Sequence, residues 1–197
     1  MRAAYEDPMV LRTHDVMDVP RVVLPRLDGE WLAMLDRVDD VGILALEVPS
    51  RVMKGPRGES IAASVFATYK DEEKDRSLLD DRPANALEDH VEALTGIYPH
   101  GASICDALLR PEEELVVHAD DQKDFYHTFI VSAARKKRNV FGRPVPVSAQ
   151  RWRAWSAWSD EARAAALREG FVRTLWGALP MGDRNAAPFA QHAHANV

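Results

Sequence analysis

The spacing of apolar residues changes repeatedly along this chain and never settles into one period, and this constrains the fold more than any other feature. In "GEWLAMLDRVDDVGIL", Trp31, Leu32, Leu35 and Val38 recur at helical spacing, and Gly42 ends the pattern. After the turn cluster "KGPRGES", the segments "SIAASVFATYK" and "RSLLDD" flank the polar tip "DEEKD", which predicts a β-hairpin with a charged turn. "RPANALEDHVEALTG" predicts a helix capped by Asn85, with Glu88 three residues on as a capping box requires, an apolar stripe of Leu87, Val91 and Leu94, and Gly96 as the stop. A short helix is expected over "SICDALL" and a buried strand over "ELVVHAD"; "TFIVSA" continues in extended or helical form. "RKKRNVFGRPVPVSAQ" reads as a basic, turn-rich connection, "RWRAWSAWSDEARAAALREG" as a helix stopped at Gly170, "FVRTLWGALPMG" as a strand entering a turn, and "NAAPFAQHAHANV" as the start of a helix. Strands and helices interleave without β-α alternation, and neither G-x-G-x-x-G nor a P-loop lysine motif occurs, so the expected class is α+β.

The organisation expected is one domain over residues 31–197, with residues 1–30 as a loosely ordered lead-in and with the basic connection and Trp-rich helix at 133–170. Cys105 is the only cysteine, which excludes an internal disulfide framework and fits a reducing compartment. No apolar run approaches the roughly 20 residues of a membrane span. The N-terminus lacks an apolar signal core, so an intracellular protein, cytoplasmic or nuclear, is expected. Charge is unevenly spread: residues 1–121 hold 13 Lys/Arg against 26 Asp/Glu, and residues 122–176 hold 11 against 4. Asymmetry of this kind marks either a nucleic-acid-facing segment or a solvated surface, and charge alone favours the surface. Trp152, Trp155 and Trp158, at i, i+3 and i+6, form a stripe suited to core packing.

The chemistry concentrates at "ELVVHADDQKDFYHTF", where an apolar run reaches Asp120 and Asp121. A carboxylate at a strand end can project into a cleft and bind a hard cation such as Mg²⁺; a solvated strand end or a helix cap explains the same residues. Two other stretches change the balance. "DRSLLDDRPAN" contains Arg-x-Leu-Leu-Asp-x-Arg-x-x-Asn, and "ALPMGDRNAAPFAQ" contains Leu-Pro-x-Gly-x-x-Asn-Ala-x-Pro-Phe-x-Gln. Taken in order with "DDQKDFYHTFIV", these stretches resemble three successive blocks of reverse transcriptases of the LTR-retrotransposon and retroviral type.

The resemblance implies fingers and part of a palm from about Trp31 onward, and it implies roles. Asp121 would be a catalytic metal ligand for Mg²⁺, with Gln122 offering a backbone carbonyl. Asp124 and Phe125 would lie beneath an incoming dNTP, and Tyr126 would stand against its sugar. Arg76 falls where the family binds triphosphate, with Lys74 (and Lys70) as nearby cations. Met181 and Gly182 would line the nucleotide or template path. Implied partners are dNTP and an RNA or DNA template-primer. The family's second acidic block, aromatic-x-Asp-Asp, does not occur, and the chain ends at Val197 about where the palm helix begins. The expectation is therefore a truncated or degenerate fragment without polymerase activity of its own. A non-catalytic alternative binds nucleic acid through Arg135, Lys136, Lys137 and Arg138. A metal-dependent phosphohydrolase using Asp39-Asp40, Asp80-Asp81 and Asp120-Asp121 ranks below both, because each pair has a local structural explanation.

Overall fold

A computed structural model of the chain describes residues 5–13, 16, 18–73, 75–91, 108–116, 123–149 and 151–195. The fold is α+β, built on two small antiparallel sheets. A three-stranded sheet has the order β1-β5-β4, formed by Leu44–Glu47 (β1), Phe171–Trp176 (β5) and Val140–Pro146 (β4), with β5 in the centre. A separate hairpin pairs Ser64–Tyr69 (β2) with Asp75–Asp80 (β3). Both the hairpin and the late strand agree with the sequence reading.

The expected first helix spans Gly29–Asp40 (α1). Asp28 caps it by accepting the Trp31 amide at 3.0 Å. Its buried face, Trp31, Leu35 and Val38, meets Leu44, Leu46, Phe141, Val145, Val172 and Trp176 from the sheet in the main core. The 153–169 stretch is two helices rather than one: Arg153–Ser156 (α5) and Asp160–Glu169 (α6). The break lies at Ser159, whose hydroxyl accepts the Ala162 amide and starts a new helix, a role serine fills better than an interior position. Trp152 is buried, and its ring N–H donates to Asp36 at 2.8 Å. Trp155 and Trp158 pack on the core edge, so the tryptophan stripe serves packing as its spacing suggests.

Two expectations need correcting here. Residues 133–146 are a helix, Ala133–Arg138 (α4), followed by strand β4, rather than a turn-rich connection. Pro144 and Pro146 are tolerated because β4 is an edge strand whose ladder is interrupted between Phe141 and Val145, so few amide donors are needed there. Gly142 sits in that interruption at φ 68°, and a Cβ on it would fall 2.2 Å from the Trp31 ring. Next, the helix predicted from Asn85 is a single turn, Arg82–Asn85 (α2), that ends at the residue expected to begin it. Glu88 forms no capping box and is fully buried among charges; residues 92–107, with "SICDALL", lie outside the described residues. Of the expected buried strand, Glu114–Val116 is exposed and not in a strand, and the rest lies outside the described residues.

One buried charge lacks a counterion among the described residues. Arg173 on β5 stands directly opposite Glu47 on β1, yet the Glu47 carboxylate turns to Lys137 (3.4 Å) and to the Val48 amide. Arg173 is 3% exposed, donates once to the Gly142 carbonyl, and leaves Nε without a partner. Burial pushes its guanidinium down to about 10. Arg173→Met should therefore raise stability by about 1 kcal/mol, read as a higher denaturant midpoint at unchanged slope, because an apolar chain of similar length removes an unpaired buried charge.

Candidate functional site

Three chain segments converge where the sequence places its chemistry. The first is the hairpin. Arg76 is exposed on β3 opposite Thr68, and its strand alternation puts it on one face with Phe66 and Leu78. Its guanidinium has no ion-pair or hydrogen-bond partner among the described residues, so it is free to meet an anion. The second segment is the turn after β5. Here Leu79 of the hairpin donates its amide to the Met181 carbonyl at 3.2 Å. Gly182, at φ 135°, passes so close that a Cβ would sit 2.1 Å from the Leu79 oxygen. What Gly182 lets through is the hairpin's own backbone.

The third segment is Asp124 to Val131. Asp124 adopts the left-handed conformation, φ 54°, and opens a one-turn helix, Phe125–Thr128 (α3). Phe125 and Tyr126 join an aromatic cluster with Phe129, Phe189 and Leu179. Backbone bonds from Leu179 to Phe129 (2.9 Å) and from Val131 to Gly177 (3.0 Å) hold this segment along the 177–179 stretch. Phe189 lies on the last helix, Ala186–Ala195 (α7). The 177–182 stretch that carries Met181 and Gly182 thus touches both the hairpin that carries Arg76 and the segment that carries Phe125 and Tyr126. Asp121, Gln122 and Lys74 lie outside the described residues, as do Asp120 and His118.

A buried ion network joins these segments. Arg135 and Arg138, from the run proposed to grip nucleic acid, are both 0% exposed. Their i, i+3 spacing on α4 places both on one inward face, which removes half of that run from any phosphate. Arg135 forks onto Glu88 at 2.7 and 3.0 Å and reaches Asp183 at 2.5 Å. Arg138 bonds Asp81, Glu88 (3.1 Å) and the Asn85 side chain (2.8 Å). Asn85, read from the sequence as a helix cap, instead donates to the Gly182 carbonyl at 2.7 Å and accepts the Arg184 amide at 3.0 Å. Of the other two cations, Lys136 and Lys137 are partly exposed, and Lys137 pairs with Glu47.

Two guanidiniums face three carboxylates here, and the titrations divide accordingly. Burial raises Asp81 despite Arg138 beside it, and one of its oxygens has no hydrogen-bond partner. For Asp183 burial also opposes ionisation, but Arg138 and Arg135 outweigh it and hold the carboxyl at about 2. A folded value below the ordinary 3.8 means that Asp183 stabilises the fold above that pH. That contribution, about 2 kcal/mol, should be lost as pH falls from 4 towards 2, and Asp183→Asn should flatten this limb of an acid-unfolding curve.

Tyr5, Asp81, Glu88 and Asp183 were not expected at the site. Buried acids are the only signal that could have pointed to them, and a sequence does not show burial. Two of the three aspartate pairs of the phosphohydrolase reading have structural partners, and Asp120-Asp121 lies outside the described residues. Asp39 accepts the Arg153 and Ala154 amides at the start of α5, Asp80 pairs with Arg82, and Asp81 pairs with Arg138. Among the described residues no three His, Cys, Asp or Glu side chains gather as a metal would require. No helix among the described residues is long and apolar enough to cross a membrane.

No family model matches the chain, and no curated protein matches it. Among solved structures, the chain is similar to a foamy viral protease-reverse transcriptase dRH in complex with double-stranded DNA, at 13% identity and a TM-score of 0.49. The similarity covers 92% of this chain and 25% of that one, so the chain spans about a quarter of its length.

Proposed function

We propose that the chain is the fingers and adjoining palm portion of a retroelement-type reverse transcriptase, which binds dNTP and a template-primer. The observation that carries this reading is the convergence of the three sequence blocks. The arginine hairpin, the Leu-Pro turn and the Phe125–Tyr126 helix are far apart in sequence and are joined through Leu79–Met181, Leu179–Phe129 and the aromatic cluster. Arg76 would take the triphosphate, since its planar fork suits phosphate oxygens and no acid among the described residues pairs with it. Asp124 and Phe125 would form the floor of the nucleotide site. Tyr126 would exclude a 2′-hydroxyl by volume, and Met181 and Gly182 would border the nucleotide. Asp121 and the Gln122 carbonyl would hold Mg²⁺, which supplies charge to the phosphate oxygens when bound. Polymerisation needs a second carboxylate block, which these 197 residues do not contain in the family's pattern. The alternative of a basic-run binding module is weakened by the burial of Arg135 and Arg138.

Binding tests this reading. The 197-residue polypeptide should bind dTTP with Mg²⁺, and Arg76→Ala should weaken that affinity about tenfold or more, the worth of a charge-assisted phosphate contact. Tyr126→Ala should narrow the preference for dTTP over UTP. No dTTP binding, or binding indifferent to Arg76, would sink the proposal. Primer extension on oligo(dT)-primed RNA should stay at background with this polypeptide alone.

A further inference from the structure

Residues 1–30 precede the three sequence blocks that resemble the polymerases, yet one of them completes the ion network at the site. Tyr5 is 2% exposed and donates its hydroxyl to Asp183 at 2.9 Å. Its ring lies 4.1 Å beneath the Arg135 guanidinium and stacks on Phe189 at 4.3 Å. The neighbouring chain is fastened too: Ser132 donates to the Glu6 carbonyl, Thr13 donates to Leu87, and Asp89 donates to Leu11. Arg138 occupies the middle. It touches Asp81 at the base of the hairpin, Glu88 beyond α2, and Asn85, whose amide holds the Gly182 carbonyl. Among the described residues, no other side chain hydrogen-bonds the side chains of both Asp81 and Asn85.

We propose that this network is a positioning device, in which Arg138, in a cluster that Tyr5 closes through Arg135 and Asp183, fixes the Met181–Gly182 turn against the Arg76 hairpin and so sets the site's affinity for a nucleoside triphosphate without touching it. The ligand part rests on the proposed function; the coupling of turn to hairpin does not. The geometry needs a fork. Nε and both terminal nitrogens of Arg138 go to three different partners spread over residues 81–88, which a single ammonium cannot reproduce. Charge alone is therefore insufficient, and the lysine variant separates the two contributions.

The test combines amide exchange with binding in the full polypeptide. The reporter is the Leu79 amide, which bonds across the junction to Met181; the controls are amides of the β1–β5 ladder. In Arg138→Lys, Leu79 should exchange about a hundredfold faster while the ladder amides are unchanged, because local opening costs less when the buried fork is lost. Affinity for dTTP with Mg²⁺ should fall roughly tenfold, since misplaced groups bind a fixed ligand poorly. Tyr5→Phe, which loses only the hydroxyl bond, should shift both readouts in the same direction by less, and it decides the matter if the lysine variant fails to fold. Unchanged Leu79 exchange overturns the coupling. Faster exchange with unaltered dTTP affinity overturns the positioning role. Absence of dTTP binding by the unaltered chain overturns the proposed function instead, and the exchange result still stands.

Discussion

Arg138→Met should cost about 3–5 kcal/mol of folding stability, because it strands the buried Asp81 carboxylate and leaves Glu88 and Asp183 to Arg135. Arg138 is fully buried and contacts Asp81, Glu88 and, at 3.7 Å, Asp183. Without it, three acids would share Arg135 alone. Methionine fills most of the volume but offers neither charge nor donor, and Asn85 also loses the guanidinium that bonds its carbonyl oxygen. Since whole domains are stable by only about 5–15 kcal/mol, a loss of this size consumes much of the total. Chemical denaturation of the purified variant measures it directly. A change below about 1 kcal/mol would mean that the network contributes little. Arg151→Met is the useful contrast: its exposed pair with Asp36 should matter far less.

Gly182→Ala should be nearly as damaging, by about 2–5 kcal/mol, for steric rather than electrostatic reasons. Its φ of 135° disfavours any side chain, and the new Cβ would meet the Leu79 carbonyl oxygen at 2.1 Å. That oxygen belongs to a paired strand and cannot rotate aside as a flexible side chain would. The turn must therefore part from the hairpin, breaking the bond between Leu79 and Met181. The thermal midpoint should drop, and the binding assay for dTTP should show a weaker site even where the variant remains folded. An alanine variant with unchanged stability would show that the close approach is not held in solution.

Much of the local structure was readable before any coordinates. The helix from Gly29 follows from its apolar spacing, the hairpin from two β-rich runs around a charged tip, and β5 from "FVRTLW" before a Leu-Pro turn. Each of these signals is contained within a dozen residues, where periodicity and turn chemistry act. The failures also share a cause. Val140–Pro146 has two prolines and a glycine, which locally argue for a turn; the strand exists because β5 and Trp31 lie against it. Asn85 and Glu88 have capping-box spacing, but Arg138, 50 residues from Glu88, draws both into the interior and the helix stops.

The candidate site divides along the same line. The sequence by itself determined the order and chemistry of the three blocks, including Arg76 on a hairpin, an aromatic pair after the aspartates and a glycine in the Leu-Pro turn, because each is a short-range pattern. Only the tertiary structure decided which charges face solvent. In "RKKR" two arginines point inward and two lysines outward, since a helix of period 3.6 places Arg135 and Arg138 on one face, and three acids distant in sequence gather to meet them. A buried cation is stable only where such counterions converge, and convergence is a property of the folded chain.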